Sequence, residues 1–92
     1  LAWSQAGMVA LKRGQISGLH GALSCFEKAW DIDEEHLNPM AYVALHRINA
    51  FLDNPKEVEK WYDALIDSGG EDAVAKEWIE AIEASLSNIN SN

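Results

Sequence analysis

The sequence predicts an all-α fold made of antiparallel helix hairpins, with about five helices in total. Apolar residues recur at intervals of three and four along most of the chain, which is the period of an amphipathic helix. No segment alternates with the period of two that is typical of a strand, and no Asn-Gly or Asp-Gly hairpin turn occurs. The connections between the periodic segments are short, which favours antiparallel neighbours.

The first predicted hairpin covers about 2–32. Its first helix runs over about 2–13 and ends at Gly14, and its second helix runs over about 18–32. The apolar residues of the second helix are spaced by four, three and four, so they share one face. We expect that buried stripe to consist of Leu19, Leu23, Phe26 and Trp30.

The second predicted hairpin covers about 38–68 and begins with a clear helix start. Asn38 can accept a hydrogen bond from a helix N-terminus, and Pro39 suits the first turn. Asn54 is the expected cap of the next helix, with Glu57 in the capping-box position. The expected buried stripes are Ala41, Leu45, Ile48 and Leu52 on the first helix, and Val58, Trp61, Tyr62 and Leu65 on the second.

A fifth helix over about 71–86 is expected to cap the hairpins. Ser68-Gly69-Gly70 stops the preceding helix, and the acidic residues Glu71 and Asp72 suit a new helix N-terminus. Its expected buried stripe is Val74, Trp78, Ile82 and Leu86. We therefore predict a single helical domain over 1–86, followed by a flexible polar tail over 87–92.

The two hairpins contain a similar pattern of large and small residues. Phe26 and Trp61 lie 35 residues apart, and each is followed three residues later by alanine, Ala29 and Ala64. With these positions the chain resembles the tetratricopeptide repeat (TPR), a helix hairpin of about 34 residues. In the first hairpin the residues that match the family pattern are Trp3, Gly7, Gly14, Ala22, Phe26 and Ala29. The connection from Gln15 to Gly21 is longer than in the family, and the second hairpin matches at fewer positions.

The resemblance implies a right-handed superhelix; an irregular helical bundle is the alternative. It also implies a concave groove, formed by the first helix of each hairpin, where a peptide docks. Tyr42, His46 and Asn49 share one face of the third helix, and their side chains can stack on and hydrogen-bond to a peptide. The resemblance adds Ser4, Met8 and Lys12 on the first helix. We expect these six residues to form the peptide-binding site, with Tyr42, His46 and Asn49 exposed on the concave surface.

No pattern in the sequence indicates catalysis, a metal site or a cofactor. The acidic run from Asp31 to His36 resembles a calcium loop, but His36 and Tyr42 stand where such a loop needs glycine and glutamate. The three histidines, His20, His36 and His46, lack the spacing of metal ligands on a helix. Cys25 has no orienting base, and no glycine-rich phosphate loop is present. We expect that the protein is not an enzyme.

Charge restricts the partners. The net charge is −8, and it is uneven: residues 1–30 contain three basic residues and one acid, whereas 31–92 contain four basic residues and fourteen acids. Such a surface repels nucleic acid, and a partner guided by charge would be basic. No apolar run approaches the roughly 20 residues of a membrane span. A single cysteine is consistent with a reducing compartment, so we expect a cytoplasmic location.

The leading functional hypothesis is a protein–protein interaction module, a scaffold or adaptor that docks a peptide or helix. The alternative is a purely structural helical segment of a larger enzyme or secretion assembly, with no ligand of its own. The sequence leaves the oligomeric state open. The chain begins at Leu1, and Trp3 already lies in a helical pattern without a capping residue, so we expect a segment of a larger protein; a removed leader is the other explanation.

Overall fold

The computed structural model describes residues 3–19 and 21–90, and throughout these ranges the regular structure is helical. Five α-helices follow one another: α1 (Trp3–Lys12), α2 (Ala22–Asp33), α3 (Pro39–Phe51), α4 (Pro55–Asp67) and α5 (Lys76–Asn90). Short 3₁₀ turns at Glu34–His36 and Glu71–Ala73 precede α3 and α5. The predicted all-α class with about five helices is confirmed. Leu1, Ala2, His20, Ser91 and Asn92 lie outside the described residues.

The first hairpin is α1 packed against α2, and a glycine sets how closely the two helices approach. A Cβ atom on Gly7 would lie 2.8 Å from ring atoms of Phe26, which is fully buried. The connection between the helices spans 13–21 and folds back on itself through backbone hydrogen bonds from Ala22 to Gln15 (2.7 Å) and from Leu23 to Ile16 (3.0 Å). Because α2 begins only at Ala22, the expected placement of Leu19 in its buried stripe is wrong: Leu19 is 86% exposed.

The second hairpin, α3 against α4, begins as predicted. The Asn38 side chain accepts a hydrogen bond from the Met40 amide at 3.0 Å, and Pro39 occupies the first turn. Asn54 stands at the start of α4 but makes no side-chain cap; its amide instead donates to Asn49 Oδ1 at 3.4 Å. The expected capping box is therefore wrong. Of the expected stripes, Leu52 and Tyr62 are exposed: Leu52 follows the end of α3, and Tyr62 is 49% exposed although its ring lies near His46 of α3.

Helix α3 is the centre of the core. It packs against α2, α4 and α5, and eight of its thirteen residues are buried. A helix enclosed on several sides cannot keep a polar face towards water, which explains why its buried surface is wider than the predicted stripe. The stripe residues Ala41, Leu45 and Ile48 are all fully buried.

Helix α5 closes the structure by packing against both α1 and α3. This helix begins and ends later than predicted. Glu71 and Asp72 belong to a 3₁₀ turn, and the α-helix runs from Lys76 to Asn90. Residues 87–90 of the expected flexible tail are thus helical. Ile82 is fully buried as expected, whereas Trp78 is 39% exposed. None of the described helices combines the length and the apolarity that crossing a membrane requires.

Candidate functional site: an apolar groove and an aromatic corner

The three predicted site residues on α3 face the partner helix α4 and its connection. Tyr42 and Asn49 are only 8% and 2% exposed, so the prediction that they lie open in a groove is wrong for both. The Tyr42 ring packs against Trp61, and the Asn49 amide donates to the Leu45 carbonyl oxygen at 2.8 Å. His46 is half-buried, with its ring 5.4 Å from that of Tyr62.

The predicted residues on α1 lie elsewhere. Ser4 and Met8 line a groove that Tyr42, His46 and Asn49 do not reach, and Lys12 is exposed near the end of α1. The structure therefore divides the six predicted residues among separate places instead of bringing them together. Helix α5 explains this separation, because it packs on α1 and α3 where the resemblance implies an open groove.

The groove that Ser4 and Met8 line has a volume of about 530 Å³, and most of the side chains that line it are apolar. Three large apolar side chains from three helices meet there while still exposed: Trp3 of α1 (39%), Ile32 of α2 (63%) and Trp78 of α5 (39%). Met8 and Met40 form its buried floor. We call this feature the apolar groove.

One edge of the apolar groove is acidic. Asp33 and His36 both line it and contact each other, with 3.0 Å between His36 Nδ1 and Asp33 Oδ1. Asp31 and Glu35 are exposed beside them in the chain. An apolar surface with a carboxylate at its edge suits a ligand that carries apolar side chains next to positive charge.

A second depression, of about 450 Å³, lies between α2, α3 and α4, and three aromatic side chains form its walls. The Trp30 and Trp61 ring centroids are 5.5 Å apart, with their planes at 86°, and the Tyr42 ring lies 6.2 Å from Trp61. Burial and the nearby Glu34 carboxylate raise the pKa of the Tyr42 phenol, opposed by a hydrogen bond with Trp30. We call this set the aromatic corner.

His46 lines a third depression together with Arg47, Tyr62 and Glu71. Arg47 forms ion pairs with Glu71 and, at 3.3 Å, with Glu83 of α5, so it connects α3 to the elements that follow α4. Among the described residues, none offers a hydrogen-bond partner to His46 Nδ1. Burial lowers the pKa of His46, and the Arg47 charge lowers it further, while Glu71 raises it.

The remaining candidate ligands do not assemble. In the described part of the chain, no three His, Cys, Asp or Glu side chains come together as a metal site would need. His20 lies outside the described residues. Cys25 is buried, and burial raises the pKa of its thiol, which disfavours the nucleophilic thiolate.

Sequence reasoning named Ser4 and Met8 of the apolar groove and Tyr42 of the aromatic corner, but it missed most of the other residues that form these depressions. It assigned Trp30 and Trp78 to buried stripes and gave no role to Ile32. One signal was available: tryptophan is rarely buried completely, and four of them in 92 residues are many for one small core. Some of the tryptophans must therefore be partly exposed, but which of them come together on the surface depends on how the helices pack.

Comparison of the chain with protein-family models, with curated proteins and with solved structures finds no match.

Proposed function

We propose that this domain is a protein–protein interaction module that docks an amphipathic peptide or helix of a basic partner in the apolar groove. The observation that carries the proposal is the convergence of Trp3, Ile32 and Trp78 on one groove while each remains at least 39% exposed. Exposed apolar side chains that cluster instead of scattering are typical of binding surfaces. The resemblance to the tetratricopeptide repeat, a peptide-docking family, agrees with this role.

The charge of the groove's surroundings selects the partner. Asp33 lines the groove, and the whole chain has a net charge of −8. Lysine or arginine beside apolar anchors would find complementary charge at the Asp33 edge, while a basic residue, Lys28, has its ammonium 5.7 Å from the Trp3 centroid. We therefore expect a ligand with apolar side chains at helical spacing and basic residues beside them. A cytoplasmic setting is part of the same proposal.

The groove offers a substitution with little risk to the fold. Ile32 is 63% exposed, so Ile32→Asp places a charge in the groove without burying it. Ile66 is a matched control: it is 52% exposed, has the same side chain, and lies on α4 outside the apolar groove. Both substitutions add one negative charge, so a difference between them reports on the groove and not on net charge.

The test uses designed amphipathic peptides with Leu, Phe or Trp at positions i, i+4 and i+7, in a lysine-flanked set and a glutamate-flanked set. We expect lysine-flanked peptides to bind and to shift the indole N–H resonances of Trp3 and Trp78. Ile32→Asp should weaken binding at least about tenfold, as expected for loss of a central apolar contact, and Ile66→Asp should leave it unchanged. Absence of binding in both sets, or equal loss with both variants, would reject the proposal in favour of the purely structural role.

A further inference from the structure

The aromatic corner has the geometry of a cation site. Trp30 and Trp61 stand at 86° to one another, so their faces form two walls of a right-angled recess. Tyr42, from a third helix, adds an aromatic ring beside Trp61. Trp61 and Tyr42 are 2% and 8% exposed, so packing fixes these walls before any ligand arrives. The negative face of an aromatic ring attracts a cation within about 6 Å of the centroid.

A positive charge already stands in this recess. The ammonium of Lys60 lies 4.5 Å from the Trp61 centroid and 5.2 Å from the Trp30 centroid. One nitrogen within range of two perpendicular rings shows that both faces are directed at the same point. Lys60 is exposed and has a long flexible side chain, so it can move into solvent when another cation takes its place.

Carboxylates reinforce the preference for positive charge. Glu34, Asp63 and Asp67 line the same depression as the aromatic rings, and Lys60 is the one basic residue among the described residues that line it. The depression therefore stays negative even with Lys60 in place. A neutral apolar ligand would gain nothing from these three acids, whereas a cationic ligand would gain from both the rings and the acids.

The competition with Lys60 restricts the kind of cation. A tethered ammonium has a high effective concentration at the recess, so an ordinary lysine of a partner would have no advantage over it. A methylated ammonium does have an advantage over Lys60, because it costs less free energy to remove from water and has methyl groups to bury against the rings. We propose that the aromatic corner binds a methylated lysine side chain of a protein partner and that Lys60 is the internal competitor which that side chain displaces.

This site shares no lining residue with the apolar groove, so the two proposals fail independently. The test is a titration of the ¹⁵N-labelled chain with Nα-acetyl-trimethyl-lysine amide at constant ionic strength, read from the indole N–H resonances. We expect the resonances of Trp30 and Trp61 to shift and those of Trp3 and Trp78 to stay in place. The unmethylated lysine amide should produce much smaller shifts.

Lys60→Met is the decisive variant, because it keeps an unbranched apolar side chain and removes the competing charge. We expect it to raise the affinity for the trimethyl-lysine amide about tenfold. Lys28→Met is the matched control: Lys28 also places its ammonium over a tryptophan, Trp3 at 5.7 Å, but over that single ring and away from the corner. It should leave the affinity unchanged.

Three results would overturn the inference. One is equal affinity in the wild type and in Lys60→Met. The second is equal binding of choline and its uncharged carbon analogue 3,3-dimethylbutan-1-ol, which would show an apolar recess without cation selectivity. The third is binding of choline without binding of the trimethyl-lysine amide, which would assign the recess to a small-molecule or lipid headgroup.

Discussion

The two helix hairpins bring their helices together by different means. In the first hairpin, the contact depends on the absence of side chains: Gly7 leaves room for the Phe26 ring, and Gly21 leaves room for the backbone of the connection over 13–21. In the second hairpin, the connection is the short segment 52–54, and side chains make the contacts, among them Asn49, Trp61 and Leu65. The first hairpin thus depends on two glycines, whereas the second uses a buried amide and large apolar groups.

The difference bears on the two candidate sites. The apolar groove lies against the first hairpin, where Ser4, Met8 and Ile32 line it, and the aromatic corner lies where the second hairpin meets α2. A substitution that destabilises only one hairpin therefore also tests whether the site beside that hairpin depends on its helix contacts.

The largest expected effect is that of Gly21→Ala. A Cβ atom there would stand 2.4 Å from the Ser17 carbonyl oxygen and 2.6 Å from that of Ile16, and backbone atoms cannot move aside as side chains can. We expect a loss of about 3 kcal/mol in the free energy of unfolding, measured by urea denaturation.

Gly18→Ala is the control within the same connection. Gly18 has open space around it but a φ of +94°, so alanine there should cost only the left-handed conformation, about 1 kcal/mol. Equal losses for the two variants would show that backbone conformation, and not the close approach at Gly21, governs the first hairpin.

Gly7→Ala should have the next largest effect. The added Cβ would lie 2.8 Å from the Phe26 ring, which is fully buried and has little room to shift. Overpacking costs about 1–3 kcal/mol, while alanine gains about 1 kcal/mol over glycine inside a helix. We expect a net loss of up to about 2 kcal/mol in the free energy of unfolding, measured by urea denaturation. Gln5→Ala, at an exposed position of α1, should change stability by less than about 0.5 kcal/mol; a stabilised Gly7→Ala would show that the helices can move apart.

Asn49→Ala tests the second hairpin. The buried Asn49 amide donates to the Leu45 carbonyl oxygen at 2.8 Å, and its oxygen accepts from Asn54 at 3.4 Å. Loss of these bonds should cost about 1 kcal/mol of stability, whereas Asn88→Ala, at an exposed position of α5, should cost almost nothing. Because Asn49 is buried, peptide binding to the folded variant should not change. Impaired binding at unchanged stability would restore Asn49 as a site residue.

Local chemistry in the sequence was enough to predict much of the fold. Asn38 followed by Pro39 marks the start of α3, and the Gly69-Gly70 pair, with φ of +115° and +75°, ends α4, because each signal acts within a few residues. Leu19 was misplaced because helical spacing continues into 13–21, where three glycines allow the chain to leave the helix. Periodicity cannot show where a helix stops when an apolar residue happens to continue the pattern.

The candidate sites could not be predicted in the same way. Tyr42 and Asn49 were expected to be exposed because periodicity indicates one buried face, whereas α3 is enclosed by α2, α4 and α5. The apolar composition of Met40–Leu45 was a warning of this enclosure. Trp3, Ile32 and Trp78 meet only because α5 packs on α1, a contact between residues far apart in the chain that no local pattern contains.

The smallest expected effect is a pH dependence that arises in the second hairpin. His46 packs against Tyr62 across that hairpin, and burial together with the Arg47 charge lowers its pKa below the ordinary value near 6.5, with Glu71 acting in the opposite direction. Between the lowered pKa and about 6.5, the unfolded chain binds a proton that the folded protein does not. The contribution of His46 to stability is therefore fully present above this window and decreases as the pH falls through it.

The measurement is the free energy of unfolding between pH 8 and pH 5.5, compared between the wild type and His46→Gln. Other titrating groups contribute to both proteins, so the difference isolates His46. We expect the wild type to lose stability relative to the variant as the pH falls. A difference that stays constant with pH would contradict the burial of a neutral imidazole, and a difference of opposite sign would show that Glu71 outweighs burial and Arg47. The second hairpin would then hold its imidazole in the charged form and gain stability from it on acidification.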